Sequence, residues 1–342
     1  MRKLARVVKI DEIHEIPGAD AIEVATVGGW KVVAKKNDYK AGDLAVYFEI
    51  DSWIPYELAP FLTKPGQFPK VYNGVEGQRL KTIRLRGQLS QGLLMPIPQS
   101  VYDGAGSQVV EDLDLTDNLM IQKWEREMPA QLAGVSRGNF PSFIRKTDQE
   151  RIQNLKREYA QWQEQGVEWE MTEKLDGSSM TVYVNGEESG VCSRNLNLKE
   201  TEENSFWKVA LREKLIDKIK STGKNLALQG ELVGPGVQGN KYNLSELDFH
   251  LFDIYDIDKQ EYYTPKERLE LAVNLNITHT PIISLAINFK ENDWTIDYVL
   301  TNAEFKSYLN NQTEAEGVVF KSVDGKNSFK AISNKFLLKN DE

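Results

Sequence analysis

Near the start of the chain short apolar runs alternate with turn residues. Leu4 to Ile10, Ala21 to Val27, Trp30 to Ala34 and Asp43 to Ile50 are separated by Pro17-Gly18-Ala19-Asp20, Gly28-Gly29 and Lys40-Ala41-Gly42. Short apolar runs bounded by turn residues in this way predict strands, and their spacing predicts a closed or nearly closed β-barrel. From Gln99 to Pro141 the patterning weakens into Asp, Gly and Ser-rich turns. Beyond it, helical and strand-like patterns mix. A helix is expected to begin near residues 143–154, capped by Thr147 or Asp148 and continued by Leu155 to Gln163. Glu200 to Lys220 predicts one amphipathic helix with Trp207, Ala210, Leu211 and Leu215 on a single face, and Lys266 to Leu275 and Asn302 to Asn310 predict two more. The runs between them are expected to be strands.

The predicted class is therefore α+β. A five-stranded OB-type barrel is expected over residues 1–110, a linker over 111–142, and a domain of antiparallel sheets with flanking helices over 143–342. Within the first segment Arg79, Lys81, Arg84 and Arg86 form a basic stripe suited to a phosphate backbone.

Composition narrows the chemistry. The chain has 342 residues, 40% of them hydrophobic, enough for a full core and two domains. One cysteine, Cys192, excludes an internal disulfide and a Cys-rich zinc site, and His14, His250 and His279 show no metal-ligand spacing. A metal in such a chain is expected on carboxylates and phosphates. No apolar run reaches the length of a membrane span and no signal-peptide core follows Met1, so an intracellular, cytoplasmic protein without a membrane partner is expected. The net charge of −9 is uneven: residues 1–110 carry 14 basic and 12 acidic side chains, the remainder 28 and 39. A near-neutral first module thus precedes an acidic one whose carboxylates suit a divalent cation.

Candidate chemistry centres on Glu173-Lys174-Leu175-Asp176-Gly177-Ser178-Ser179, between the strand-like runs 169–172 and 180–184. A lysine two residues before Asp-Gly places an amine beside a carboxylate and a tight turn, an arrangement for a covalent nucleophile. Free lysine has a pKa near 10.4, so its neutral form at pH 7 costs about 4 to 5 kcal/mol. A neighbouring cation or desolvation must supply that. Gly234-Pro235-Gly236-Val237-Gln238-Gly239 satisfies a dinucleotide fingerprint literally, but the residues after it open no helix to face a pyrophosphate, so no Rossmann site is expected.

After Lys174 come, in order, Ser193-Arg194-Asn195, Gln229-Gly230-Glu231-Leu232-Val233, Leu251-Phe252-Asp253-Ile254-Tyr255-Asp256, Glu316-Gly317-Val318-Val319-Phe320-Lys321 and Ser328-Phe329-Lys330-Ala331-Ile332-Ser333. This series resembles the ordered motifs of the covalent nucleotidyltransferases, the superfamily of polynucleotide ligases and mRNA capping enzymes. Ile16-Pro17-Gly18-Ala19-Asp20, Gly29-Trp30-Lys31-Val32-Val33, Glu49-Ile50-Asp51-Ser52, Lys146-Thr147-Asp148 and Gln153-Asn154 sharpen it to the ATP-dependent RNA ligases that carry an amino-terminal OB domain. The resemblance departs in one place, since Ile332 stands where the last motif often has a second lysine. A DNA ligase or an mRNA guanylyltransferase is less similar because their OB domain follows the last motif; a non-catalytic nucleic-acid-binding protein is the third alternative.

The resemblance implies sealing of 3′-OH/5′-phosphate nicks in duplex RNA or an RNA/DNA hybrid, in RNA repair, through a lysyl-AMP intermediate. It implies ATP with Mg²⁺ or Mn²⁺ as cofactors. Catalytic roles fall to Lys174, Glu231, Glu316 and Lys330, nucleotide contacts to Glu173, Arg194, Phe252, Lys321 and Lys330, and metal contacts to Asp176, Glu231 and Glu316.

Overall fold

The computed structural model describes residues 2–105, 109–125, 135–201, 203–291 and 294–341. They fall into two compact units. One comprises Met1–Glu127, Gln153–Lys156 and Leu337–Glu342, the other Met128–Ile152 and Arg157–Phe336.

The first unit holds β1 (Ala5–Lys9), β2 (Glu12–Glu15), β3 (Ile22–Val27), β4 (Trp30–Lys35), β5 (Leu44–Phe48), β6 (Ser52–Pro55), β7 (Lys70–Tyr72), β8 (Val75–Arg79), β9 (Thr82–Leu85), β10 (Gln88–Gln91), β11 (Leu93–Met95), helix α1 (Gln99–Ala105) and β12 (Gln122–Lys123). Its ladders run β1-β5-β11, β2-β3-β4, β9-β10 and β12-β6-β8-β7. Short strands and tight turns appear where the alternation predicts them. These short antiparallel ladders fit the expected OB-type module. Where β4 faces β10, a side chain bridges: the Val33 N–H donates to Ser90 Oγ at 3.0 Å. Leu4, Val7, Val46, Phe48, Ile54, Leu80, Leu115 and Ile121 form the core of this unit. Four consecutive residues of β5 are buried because it is the middle strand of its sheet. The basic stripe is also only partly a surface feature. Arg79 turns onto Asp51 at 2.6 Å and lies 3.9 Å above the Trp124 ring, while Arg84 and Arg86 remain exposed.

The second unit contains β13 (Ser136–Asn139), β14 (Glu150–Arg151), α2 (Lys156–Gln165), β15 (Glu168–Lys174), β16 (Ser178–Asn185), β17 (Glu188–Cys192), β18 (Leu196–Leu198), α3 (Ser205–Arg212), α4 (Leu215–Ser221), β19 (Leu226–Val233), β20 (Asp248–Asp256), β21 (Glu261–Tyr262), α5 (Pro265–Asn274), β22 (Ile282–Asn288), α6 (Ile296–Asn302), β23 (Gly317–Ser322) and β24 (Ser328–Ile332). Helix α7 (Asn334–Asp341) is the last element. A seven-stranded sheet runs β13-β18-β17-β16-β19-β20-β21 and a five-stranded one β14-β24-β23-β15-β22. All pairings are antiparallel except β14 with β24. The α+β class is as expected.

Each sheet has its own core. Met180, Val182, Leu228, Phe249, Leu251 and Ile254 pack with Phe206 and Trp207 of α3. An aromatic cluster fills the five-stranded sheet, with Trp169 and Phe329 4.9 Å apart and Phe320 stacked on Phe329 at 4.8 Å. Among the described residues no helix is long and apolar enough to cross a membrane.

Three helix expectations change. The helix expected at 143–163 starts only at Lys156, because 147–149 are irregular and 150–151 pair with β24. The predicted helix 200–220 breaks into α3 and α4 at Lys214, which takes a left-handed conformation; Asn204 caps α3, and Leu211 is 54% exposed. The last one lies at Ile296–Asn302, upstream of the predicted 302–310. The remaining one, α5, forms nearly as predicted, with Thr264 and Glu267 completing a capping box.

Candidate active site

Lys174 ends β15 in the five-stranded sheet, and Ser178 begins β16 in the seven-stranded one. The three residues between them carry the chain across from one sheet to the other. Gly177 permits this by close approach and not by a left-handed turn: a Cβ there would lie 2.3 Å from the Leu232 carbonyl oxygen. The crossing is held by side chains. The Gly177 N–H donates to Glu231 Oε1 at 3.0 Å and the Asp176 N–H to the Tyr242 hydroxyl at 2.8 Å.

Register decides which groups meet Lys174. On β23, Gly317 is opposite Lys174, Val319 opposite Thr172 and Lys321 opposite Glu170; on β24, Lys330 is opposite Val319. Directly opposed residues share a face of the sheet, so Lys174, Lys321 and Lys330 all belong to one face. Gly317 has φ 152°, and a Cβ at that position would lie 2.2 Å from the Ala331 carbonyl oxygen, so only glycine lets β23 and β24 close together there. Glu316, the preceding residue, brings Oε2 to 2.7 Å from Lys174 Nζ.

The charges at this point are strongly coupled. Burial presses the Lys174 ammonium down, but Glu316, Glu231 and Asp176 outweigh it and hold the amine above its ordinary range. Burial pushes the Glu231 carboxyl up to about 8, against the pull of Lys174 and with Glu316 and Asp176 adding to the rise. Burial likewise raises Glu316. Desolvation thus favours a neutral amine while the carboxylates oppose it. Positive charge placed on the carboxylates would leave desolvation to act alone.

Hard oxygen donors of this kind suit magnesium or manganese. Among the described residues no group of three or more His, Cys, Asp or Glu side chains is spaced to hold an ion unaided. A cation here would complete its shell with phosphate oxygens and water.

The other candidates stand as follows. Lys330 reaches Glu316 through its charge and donates to Asp148 at 3.2 Å. Phe252 is the bulged residue of β20: Gln229 is opposite Asp253 and Gly230 opposite Leu251, which leaves Phe252 without a partner on β19 and partly buried between two buried neighbours. Bulges re-aim side chains in this way beside active sites. Lys321 is buried, bonded to Asp253 and donating to the Phe252 carbonyl at 2.6 Å, with its pKa lowered to about 8, mainly by burial. Glu173, on the opposite face of β15, is buried and accepts from the Tyr308 N–H at 2.9 Å. Arg194 lies exposed on the bend between β17 and β18. The structure therefore gathers Lys174, Asp176, Glu231, Glu316 and Lys330 about one point, and Phe252 with Lys321 about a second.

Two residues that sequence reasoning passed over belong to the first group. Lys241 pairs with Asp176 and stands 4.6 Å from the centre of the Phe336 ring, and Tyr242 anchors the Asp176 backbone. Both follow the glycine-rich stretch 234–239, which forms a loop and one 3-10 turn, Gln238–Asn240. Their position directly after that loop was the only available signal.

An RNA ligase family model matches residues 167–332, and an OB-fold domain model matches residues 4–97. No curated protein sequence matches the chain. Among solved structures, a Naegleria gruberi RNA ligase mutant with AMP and Mn is 45% identical, with a TM-score of 0.90 and 98% of each chain covered. A mutant of that ligase with ATP and Mn, and the ligase with PPi, are each 46% identical at a TM-score of 0.90, with 100% of both chains covered. Identity at that level over the whole length, on a fold whose motif residues converge as described, carries more than fold likeness: this chain belongs to the RNA ligase family.

Proposed function

We propose that the protein is an ATP-dependent RNA ligase that seals 3′-OH/5′-phosphate nicks in duplex RNA or RNA/DNA hybrids through a lysyl-AMP intermediate, in RNA repair. The observation that carries this reading is the Lys174 amine 2.7 Å from Glu316, ringed by Glu231 and Asp176 at the crossing between the two sheets. The chain would work as an OB-fold module over 1–110, whose core Leu115 and Ile121 of the 111–142 segment complete, and an adenylyltransferase domain over 143–342.

In the first step Lys174 Nζ attacks the α-phosphorus of ATP. A P–N bond forms, the bond to the bridging oxygen of the β-phosphate breaks, pyrophosphate leaves, and the amine proton passes to solvent. A 5′-phosphate oxygen of the RNA then attacks the same phosphorus and releases Lys174, giving an adenylylated 5′ end. The 3′-hydroxyl finally attacks that 5′-phosphate and expels AMP. Lys330 offsets charge on the phosphoryl oxygens in these steps. Phe252 offers a face to adenine, with Lys321 beside it, and Arg194 completes the nucleotide contacts; the Glu173 side chain, buried against Tyr308 on the opposite face of β15, supports the strand instead. Asp176, Glu231 and Glu316 would hold magnesium or manganese, whose positive charge would favour the neutral form of the Lys174 amine.

Incubation with α-labelled ATP and Mg²⁺ followed by a denaturing gel tests the reading. The wild-type chain is expected to carry the label and Lys174→Ala to lose it while keeping its fold. Glu231→Ala and Glu316→Ala are each expected to seal at least about 100-fold more slowly, the scale for removing one electrostatic catalytic group. Label persisting on Lys174→Ala overturns the nucleophile, and labelling by GTP in place of ATP indicates guanylyl transfer.

A further inference from the structure

Away from the nucleophile, helix α5 sends Arg268 into the protein interior, where its side chain is 0% exposed. Arginine is almost never fully buried unless it is paired. Here Nη2 is paired with Glu170, Nε donates to His279 Nε2 at 2.9 Å, and Nη1 stands 4.0 Å from Asp253 Oδ1. His279 Nδ1 lies 2.6 Å from the Thr280 carbonyl oxygen, which only a protonated Nδ1 satisfies, leaving Nε2 as the acceptor for Arg268. Burial drives the imidazole down to about 3, so it is neutral. Asp253 binds Lys321, and Lys321 donates to the carbonyl of Phe252.

Two acids and two bases thus form one buried, charge-balanced chain. It joins Glu170 of β15 and Lys321 of β23 in one sheet to Asp253 of β20 in the other. Buried ion pairs of this kind seldom add stability over apolar residues of the same volume, so stability alone does not account for them. The bulge supplies a further reason. Phe252 lacks a partner on β19, and the contact that Lys321 makes to its carbonyl fixes the backbone at that point. Lys321 is in turn held by Asp253, and Asp253 sits between Lys321 and Arg268.

We infer that Arg268 is a positioning residue for nucleotide binding: through Asp253 and Lys321 it sets the bulge that presents Phe252 to the purine of ATP. The inference rests on Phe252 being the base platform.

The test measures kcat and KM for ATP in autoadenylylation with wild type, Phe252→Ala, Arg268→Gln, Arg268→Lys, His279→Ala and the double variant Phe252→Ala with Arg268→Gln. Arg268→Gln is expected to raise KM roughly tenfold with a smaller change in kcat, the scale seen when the support of a contacting group is removed. Arg268→Lys should recover part of the loss, and His279→Ala, which removes one acceptor, should show the same signature more weakly. On the Phe252→Ala background Arg268→Gln should raise KM little further, because both changes act through one contact. An unchanged KM in Arg268→Gln, or full multiplication of the two effects in the double variant, overturns the inference. If Arg268→Gln fails to fold, His279→Ala decides in the same way. A normal KM in Phe252→Ala instead removes the base platform on which the inference rests, and absence of label on the wild-type chain removes the ligase reading itself.

Discussion

At the residue scale the protein shows how burial and charge are set against each other. Lys174 is 28% exposed, yet it is held protonated by carboxylates that burial itself makes reluctant to ionise. His279 shows the opposite case and gives a pH prediction. Its ordinary value of 6.5 falls to about 3, first through burial and then through Arg268. Between those values the unfolded chain binds the proton and the folded protein does not. The stability from this group is therefore full above pH 6.5 and is lost as pH falls towards 3. His279→Gln should flatten the decline of the urea midpoint between about pH 7 and about pH 5, where the wild type follows the linkage slope. Parallel declines in the two proteins would show that His279 does not titrate as its surroundings dictate.

At the scale of elements, local signals predicted what local energetics decide. The helix expected from Lys266 forms where a capping box at Thr264 starts it, the hydroxyl and Glu267 satisfying backbone N–H groups within one turn. Thr264→Ala should lower stability by about 1 kcal/mol in urea unfolding. Labelling by ATP should change little, since the contacts of Arg268 one turn further on are made by other elements. A loss of labelling larger than the loss of folded protein would show that the cap and the site are linked. Signals that failed were also local. The heptad-like pattern of 200–220 did not reveal the left-handed Lys214 that divides the helix, and Asp148, a good cap by type, is drawn instead to Lys330.

At the scale of the whole molecule the remaining question is which polymer is joined. Protein distinguishes RNA from DNA through the 2′-hydroxyl or through A-form shape, so discrimination should reside where the 3′-OH end reaches the Lys174 cluster. Sealing is expected to be fastest when the 3′-OH strand ends in ribonucleotides, with DNA tolerated on the 5′-phosphate side. Four nicked duplexes, with RNA or DNA set independently on each side of the nick, measure this. Equal or faster sealing with an all-DNA 3′-OH strand would contradict it. Raising the salt should weaken binding to all four duplexes alike, since phosphate contacts are indifferent to the sugar.

The short apolar runs and turn residues were sufficient for the fold class, because strand signals lie among neighbouring residues, and the ordered motifs pointed to the family through their resemblance to known ligases. Tertiary structure alone decided the rest. In the first unit β1 pairs with β5 and β12 with β6, strands far apart in the chain. Register, set by burying one face of each strand, placed Lys330 and Lys321 on the face that carries Lys174. Lys241 met Asp176 across 65 residues of chain and Arg268 met Glu170 across 98. No window of sequence contains such a pair, since the energy that joins its members exists only once both sheets have formed.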